Sequence, residues 1–376
     1  MRSIIVTGAR PNFMKAAPLV RAAAQRDLEL LLVHTGQHYD FGMSQIFFEE
    51  LGLPPPHRFL GVGSGSHAEV TGRCLIELEQ VFIQEKPDFV IVVGDVNSTL
   101  AAALAAAKLH IPVAHVEAGL RSFDRSMPEE VNRLATDAIS DLLLVSEPSG
   151  VTNLRREGHP EQAIHLVGNV MIDTLEQFRE AAEKRHFARS LGLEERVYAL
   201  MTLHRPSNVD RIEDLQSLID TLSEITARLP VLFPMHPRTR TQLEAQGLWL
   251  ALTSLPGLTV TAPVGYLDFL SATMTARAVL TDSGGIQEET TVLGIPCLTL
   301  RDNTERPITV EQGTNRLVGA RGERLLPALD EILGSPAPTP KRPLLWDGQS
   351  ADRILQILCD EMRRPRQSQT AFCQAR

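Results

Sequence analysis

Short apolar runs alternate with helical patterns along almost the whole chain, and the runs are apolar throughout rather than at every second residue. Phe89–Val93 is the clearest, four of its five residues β-branched, with Gly94-Asp95 directly behind it. A strand solvated on one face alternates apolar with polar. A strand buried on both faces reads as a continuous run, so this pattern requires parallel sheets covered by helices. Residues 3–6, 28–33, 113–116, 142–145 and 164–167 repeat it, giving about six strands in the first half, with helices predicted over 13–26, 41–51, 67–85, 100–109 and 129–139. A charged helical stretch, 170–189, reads as a connector, and the pattern restarts. Strands follow over 198–202, 231–235, 258–261, 279–281, 297–300 and 316–318, with helices over 211–228 and 238–246 and a last one over 352–362. The expected class is α/β, in two similar halves that show no convincing sequence repeat.

Composition narrows the function. A net charge of −9 argues against a general nucleic-acid surface, while 43% hydrophobic residues are enough for two cores. The four cysteines, at 74, 297, 359 and 373, form no CxxC, so neither a zinc site nor a disulfide framework is expected. The opening MRSIIVTGARPN runs straight into a strand, and no apolar run is long enough to span a bilayer. A cytoplasmic protein without a membrane span is expected.

In open α/β sheets ligands bind beyond the carboxyl ends of the strands, so the residues found there form a functional census. They are Gly8, Arg10 and Lys15; His34, Gln37 and His38; Asp95 and Asn97; Glu117 and Arg121; His204 and Arg205; His236 and Arg238; and Asp282 with Ser283. The last pair opens Asp282-Ser283-Gly284-Gly285-Ile286-Gln287-Glu288-Glu289, a strand–turn–helix join. Free backbone N–H groups at a helix N-terminus, with glycines that let backbone come close, suit an anion. Glu289 would then reach a sugar hydroxyl beside a phosphate. Tight packing is the other reading of the glycines. Asp95 reads equally as a helix N-cap, and Glu129 as a first-turn carboxylate. Taken together, Arg10, Lys15, His204, His236, Ser283, Gly284 and Gly285 suit a phosphate or diphosphate. Asp95, Glu117 and Glu129 are carboxylates from one half, fit for proton transfer or for stabilising a cationic sugar. The expected layout is a cleft with acids on one wall and phosphate donors on the other, as a nucleotide-sugar enzyme would need. No GxGxxG follows a first strand, which disfavours a dinucleotide oxidoreductase.

From about residue 3 to 355 the chain resembles the non-hydrolysing UDP-N-acetylglucosamine 2-epimerases. The matching stretches are Gly8-Ala9-Arg10-Pro11 with Lys15, Gln37-His38, Gly94-Asp95, His115-Val116-Glu117-Ala118-Gly119-Leu120-Arg121, Pro128-Glu129-Glu130 with Asn132-Arg133, Gly168-Asn169, His204-Arg205, the Asp282–Glu289 stretch, and Arg301-Asp302 with Thr304-Glu305-Arg306-Pro307. The resemblance implies a glycosyltransferase-B-type fold of two Rossmann-like domains facing a central cleft. The domains would be residues 1–170, joined by a C-terminal helix crossing back (about 350–376), and residues 171–349. It implies interconversion of UDP-N-acetylglucosamine and UDP-N-acetylmannosamine by elimination of UDP to a 2-acetamidoglucal and re-addition, with no cofactor and no metal. Asp95, Glu117, Glu129 and His204 would be the catalytic set, with the residue that moves the proton left open. Arg10, Lys15, His236, Ser283, Gly284, Gly285, Glu289 and Arg306 would bind UDP. The resemblance also implies a homodimer with a UDP-sugar as its small-molecule partner.

Three departures lie near the sugar or effector side. Asn12 stands where the family commonly has Glu. Pro206-Ser207 replaces a basic–acidic pair, and the loop between Arg121 and Glu129 is about two residues short. A UDP-glucose 2-epimerase, a hydrolysing epimerase and, more distantly, a glycosyltransferase are the competing readings.

Overall fold

The computed structural model describes residues 2–36 and 48–363, apart from the Arg10 side chain. Seven parallel strands form the first sheet: β1 Arg2–Thr7, β2 Glu29–His34, β3 Arg58–Phe59, β4 Phe89–Val93, β5 Val113–Ala118, β6 Leu142–Val145 and β7 Ile164–Leu166, in the order β3-β2-β1-β4-β5-β6-β7. Six parallel strands form the second: β8 Ala199–Thr202, β9 Val231–Pro234, β10 Leu258–Thr261, β11 Ala278–Thr281, β12 Cys297–Thr299 and β13 Asn315–Leu317, in the order β10-β9-β8-β11-β12-β13. The continuous apolar runs are explained by burial. All five residues of β4 and all four of β11 are buried, with helices on both faces. In each sheet the order reverses at one point, between β1 and β4 and between β8 and β11. Such a reversal opens a crevice at the carboxyl ends of those strands.

One apolar core crosses from sheet to sheet. The helix Val170–Glu183 packs on Arg10–Gln25 from the first half and on Tyr266–Thr275 and Gly284–Leu293 from the second. The last helix, Ser350–Arg363, returns to the first half. Its buried Ala351, Ile354, Leu355 and Leu358 recur at helical spacing, and it lies against Arg10–Gln25. Asp173 fixes its start by accepting from the Ser350 and Ala351 amides at 3.1 and 2.7 Å. Trp346, 1% exposed, anchors the strap before it through an Nε1 bond to the Ser146 carbonyl at 2.9 Å.

Some elements differ from the sequence reading. The first sheet gains β3, two exposed residues that carry no periodic signal. The 170–189 helix breaks into Val170–Glu183 and Phe187–Ser190 because His186 takes a left-handed φ of 45°. Helices Pro148–Arg156, Tyr266–Thr275 and Leu325–Leu333 join the list. The helix expected over 41–51 lies mostly outside the described residues. Among the described residues no helix is long and apolar enough to cross a membrane.

Candidate active site

The strand ends at the two reversal points supply Arg10, Lys15, Asp95, His204, Ser283, Gly284 and Gly285, and the neighbouring ends of β5 and β9 supply Glu117 and His236. At the exit of β1, Gly8 lies so near the helix Asn97–Lys108 that a Cβ would sit 1.9 Å from Ser98 Oγ. Asn12 then ties two strand exits together. Its Oδ1 accepts from the Gly8 and Ala9 amides at 3.2 and 2.9 Å, and its Nδ2 donates to the Val93 carbonyl at 2.9 Å. The departure at position 12 is thus a brace under the Asp95 turn. Lys15, one turn further on, is 6% exposed and ion-paired with Glu117. Arg10 begins this helix, but its side chain, with Gln37 and His38, lies outside the described part.

Glu117 is aimed by a β-bulge. The β5–β6 register passes from Val116↔Leu144 to Ala118↔Val145, leaving Glu117 as the extra residue, and its φ is +73°. A non-glycine there costs roughly 1–3 kcal/mol, which surrounding bonds must offset. The bulge directs the carboxylate to Lys15 on one side and to Arg306 Nη2, 3.3 Å away, on the other. Asp95 pairs with Arg133. Burial pushes its carboxyl up, but Arg133, Lys15 and Arg306 outweigh burial and hold it below the ordinary range. Arg133 is held in turn by Glu130, which accepts at 2.9 and 2.6 Å and also takes the Ser122 and Phe123 amides. Glu129 is partly exposed and within electrostatic reach of Arg205.

On the second wall Asp282 is wholly buried. Its Oδ1 lies 2.8 Å from His204 Nδ1, and its Oδ2 accepts from the His204 and Arg205 amides and the Asn208 amide group at 2.9, 2.8 and 3.0 Å. Burial raises its carboxyl, yet these donors bring it down to about 2. The His204 and His236 rings lie 5.3 Å apart. Ser283 precedes the helix Gly284–Leu293 with no side-chain cap bond. Gly284 is crowded, since a Cβ would meet Arg306 Nη1 at 2.6 Å, whereas at Gly285 only Met171 Cε comes near, at 3.5 Å.

Both walls carry both signs of charge, which differs from the expected division. Arg306 Nε lies 2.7 Å from Glu288, and its other nitrogens face Glu305 and Glu117. Lys15 and Arg306, expected on a diphosphate, are here the counter-ions of carboxylates. Glu289, expected to face a ligand, is 3% exposed and accepts the Tyr266 hydroxyl at 3.0 Å; burial pushes its carboxyl up to about 7. Arg133, Glu288 and Glu305 lie inside the motif stretches but carry no assigned role in the sequence, and Arg205 figures there only among the strand-end residues. The Arg205 Nε donates to the Asp282 carbonyl at 2.9 Å. Among the described residues no group of three or more His, Cys, Asp or Glu is disposed to hold a metal.

Two doubly wound parallel sheets whose reversal points meet in one cleft make a glycosyltransferase-B-type fold. The family model described as UDP-N-acetylglucosamine 2-epimerase matches residues 21–359. The chain belongs to that family. It is 46% identical over 364 residues to the UDP-N-acetylglucosamine 2-epimerase of Methanocaldococcus jannaschii, covering 95% of this chain and 99% of the relative. It is 42% identical over 363 residues to the UDP-2,3-diacetamido-2,3-dideoxy-D-glucuronate 2-epimerase of Pseudomonas aeruginosa, with the same coverage. The solved M. jannaschii UDP-GlcNAc 2-epimerase in complex with UDP-GlcNAc and UDP superposes with a TM-score of 0.90 at 45% identity, over 96% of this chain and 100% of that one.

Proposed function

We propose that this chain interconverts UDP-N-acetylglucosamine and UDP-N-acetylmannosamine. The observation that carries the reading is the cleft itself. The Ser283-Gly284-Gly285 helix start and the Glu117–Lys15–Arg306 cluster meet in a chain that is similar over nearly its whole length to a structure holding UDP-GlcNAc and UDP. The proton on sugar carbon 2 is not acidic, so direct removal is unfavourable. Loss of UDP across the C1–C2 bond gives a 2-acetamidoglucal, and re-addition with protonation from the other face gives the epimer. No oxidation state changes, so side chains alone can carry the reaction.

In this reading the helix start, His236 and Arg10 receive the leaving diphosphate, and Glu289 stands behind them toward the ribose. Binding would draw Arg306 and Lys15 from their carboxylates toward phosphate, freeing the Glu117 carboxylate to face the sugar. Asp95, Glu117, Glu129 and His204 are the candidates for moving the carbon-2 proton. Fixed donors in a water-poor cleft are worth several kcal/mol toward a developing charge. Keeping water off the glycal is what separates a non-hydrolysing outcome from release of free N-acetylmannosamine. A homodimer completes the reading, with light scattering as its check.

A second substrate reading is favoured by the P. aeruginosa relative, which is nearly as similar as the archaeal one. A uronate carboxylate would need a cation on the sugar side, and Arg205 and the Arg301 Nη1, which is buried without a hydrogen-bond partner among the described residues, are available. Proton NMR in D2O with each UDP-sugar decides. The manno epimer with deuterium at carbon 2 supports epimerisation. Free sugar with stoichiometric UDP means hydrolysis. Turnover of the diacetamido-glucuronate alone moves the substrate to the second reading, and no exchange with any of them rejects all.

A further inference from the structure

We propose that His115 and Asp137, which touch none of the candidate reacting positions, are positioning residues that set the two strand ends carrying Asp95 and Glu117. Both are wholly buried. His115 Nδ1 lies 2.6 Å from Asp137 Oδ1, and its Nε2 lies 2.9 Å from the Gly94 carbonyl, the residue before Asp95. A carbonyl only accepts, so Nε2 donates. Asp137 Oδ2 accepts the Gly119 amide at 3.0 Å, two residues beyond Glu117, and Arg121 Nη2 at 2.7 Å. Arg121 is braced by Glu157 through Nε at 2.8 Å and Nη2 at 2.6 Å. Burial pushes the Asp137 carboxyl up, but its bonds to His115 and Arg121 outweigh burial and hold it below the ordinary range.

The bonds fall where the backbone needs them. Gly94, Glu117 and Gly119 all have positive φ, at +70°, +73° and +80°, and Glu117 is the residue without a glycine's freedom. The Gly94 amide donates back to the Val116 carbonyl at 3.1 Å. One buried pair therefore grips a strand end on each side of the bulge: Gly94 through His115 and Gly119 through Asp137. Asp137 rides on the helix Pro128–Ala138, which also carries Glu129 and Arg133, so three candidate carboxylates are referenced to one point. The histidine, the glycine and the arginine of the HVEAGLR stretch are explained as parts of this clamp.

The inference for turnover rests on the epimerase reading, so the test has an arm that does not. In the wild-type protein, amide hydrogen exchange should place Gly94 and Gly119 among the slowest-exchanging class. In Asp137→Asn and His115→Gln, exchange should quicken over residues 93–97 and 115–121 while the β8–β13 sheet stays protected. With UDP-N-acetylglucosamine, kcat should fall about 100-fold in each variant, as expected for a sub-ångström to ångström misplacement, with KM within about 3-fold. The double variant should be no slower than the worse single one. Fast exchange at both glycines in the wild type, kcat retained in both variants, or a rise in KM alone would overturn the proposal. If the wild type turns over no UDP-sugar, the epimerase reading fails and the exchange arm alone decides the clamp.

Discussion

His204 and Asp282 form one unit: the imidazole Nδ1 sits 2.8 Å from a carboxylate oxygen whose partner oxygen holds the His204 and Arg205 amides. Asp282 therefore fixes the ring's position, and a hydrogen on Nδ1 directed at this carboxylate leaves Nε2 as the nitrogen able to accept a proton. Asp282→Asn keeps the shape but can offer an N–H to Nδ1, which moves the ring hydrogen to the other nitrogen. If His204 acts in turnover, kcat should fall on the order of 100-fold or more with little change in KM. Steady-state kinetics with an unchanged kcat would remove His204 from the mechanism.

The same carboxylate predicts a pH dependence. Its folded value, about 2, lies below an ordinary aspartate, so its stabilisation is present at neutral pH and is lost as pH falls through the range between the two. Asp282→Asn should lower unfolding stability by about 2 kcal/mol at pH 7, shrinking toward zero near pH 2. Denaturant unfolding at the two pH values checks this.

Glu147 and Glu289 should behave in the opposite sense. Burial raises both carboxyls to about 7, so the folded state binds more protons than the unfolded state between the ordinary glutamate value and 7. Stability should fall as pH rises through that window, by up to about 3 kcal/mol for each group. Glu147→Gln and Glu289→Gln should each flatten the profile, with little effect at pH 5 and a gain at pH 8. A melting profile identical to wild type in both variants would show that neither group titrates there.

Arg306 is expected to matter before any ligand binds. Its guanidinium lies among Glu117, Glu288 and Glu305, all nearly inaccessible. Arg306→Ala leaves three carboxylates short of a counter-ion in a closed space, which should cost about 3–5 kcal/mol. Thermal unfolding without UDP reads this directly. An unchanged melting temperature would mean that the arginine serves the ligand alone.

The sheets were legible because burial on both faces leaves a mark in consecutive residues, as in Phe89–Val93. The Ser-Gly-Gly turn was legible because backbone approach selects glycine. Pairing across the fold was not. Lys15 meets Glu117 from 102 residues away and Arg306 meets it from 189, and no spacing rule relates them. The sequence therefore placed charged residues at the strand ends but carried no sign of which of them pair with one another in the fold. Glu289 shows this best: its bond to Tyr266, 23 residues earlier on another helix, follows from no spacing in the sequence. The positive φ of Glu117 was equally invisible, because a bulge is set by the neighbouring strand.

Gly285 separates the two readings of its turn. Packing does not demand a glycine there, since the nearest atom to an added Cβ is Met171 Cε at 3.5 Å and the residue lies in the helix Gly284–Leu293. Alanine is the better helix former by about 0.8–1 kcal/mol, so Gly285→Ala should leave the ligand-free protein as stable as wild type or slightly more so. If the helix start receives the diphosphate, the added methyl stands where phosphate oxygens approach the backbone, and UDP affinity should fall about 10-fold or more, a loss of ~1.4 kcal/mol or greater. Calorimetric titration with UDP beside a melting curve tests both halves. Lost affinity with retained stability assigns the glycine to the ligand. Retained affinity would show that the diphosphate lies elsewhere in the cleft. Gly284→Ala cannot serve in its place, because the clash with Arg306 and Glu305 would disturb the charge network whether or not UDP is present.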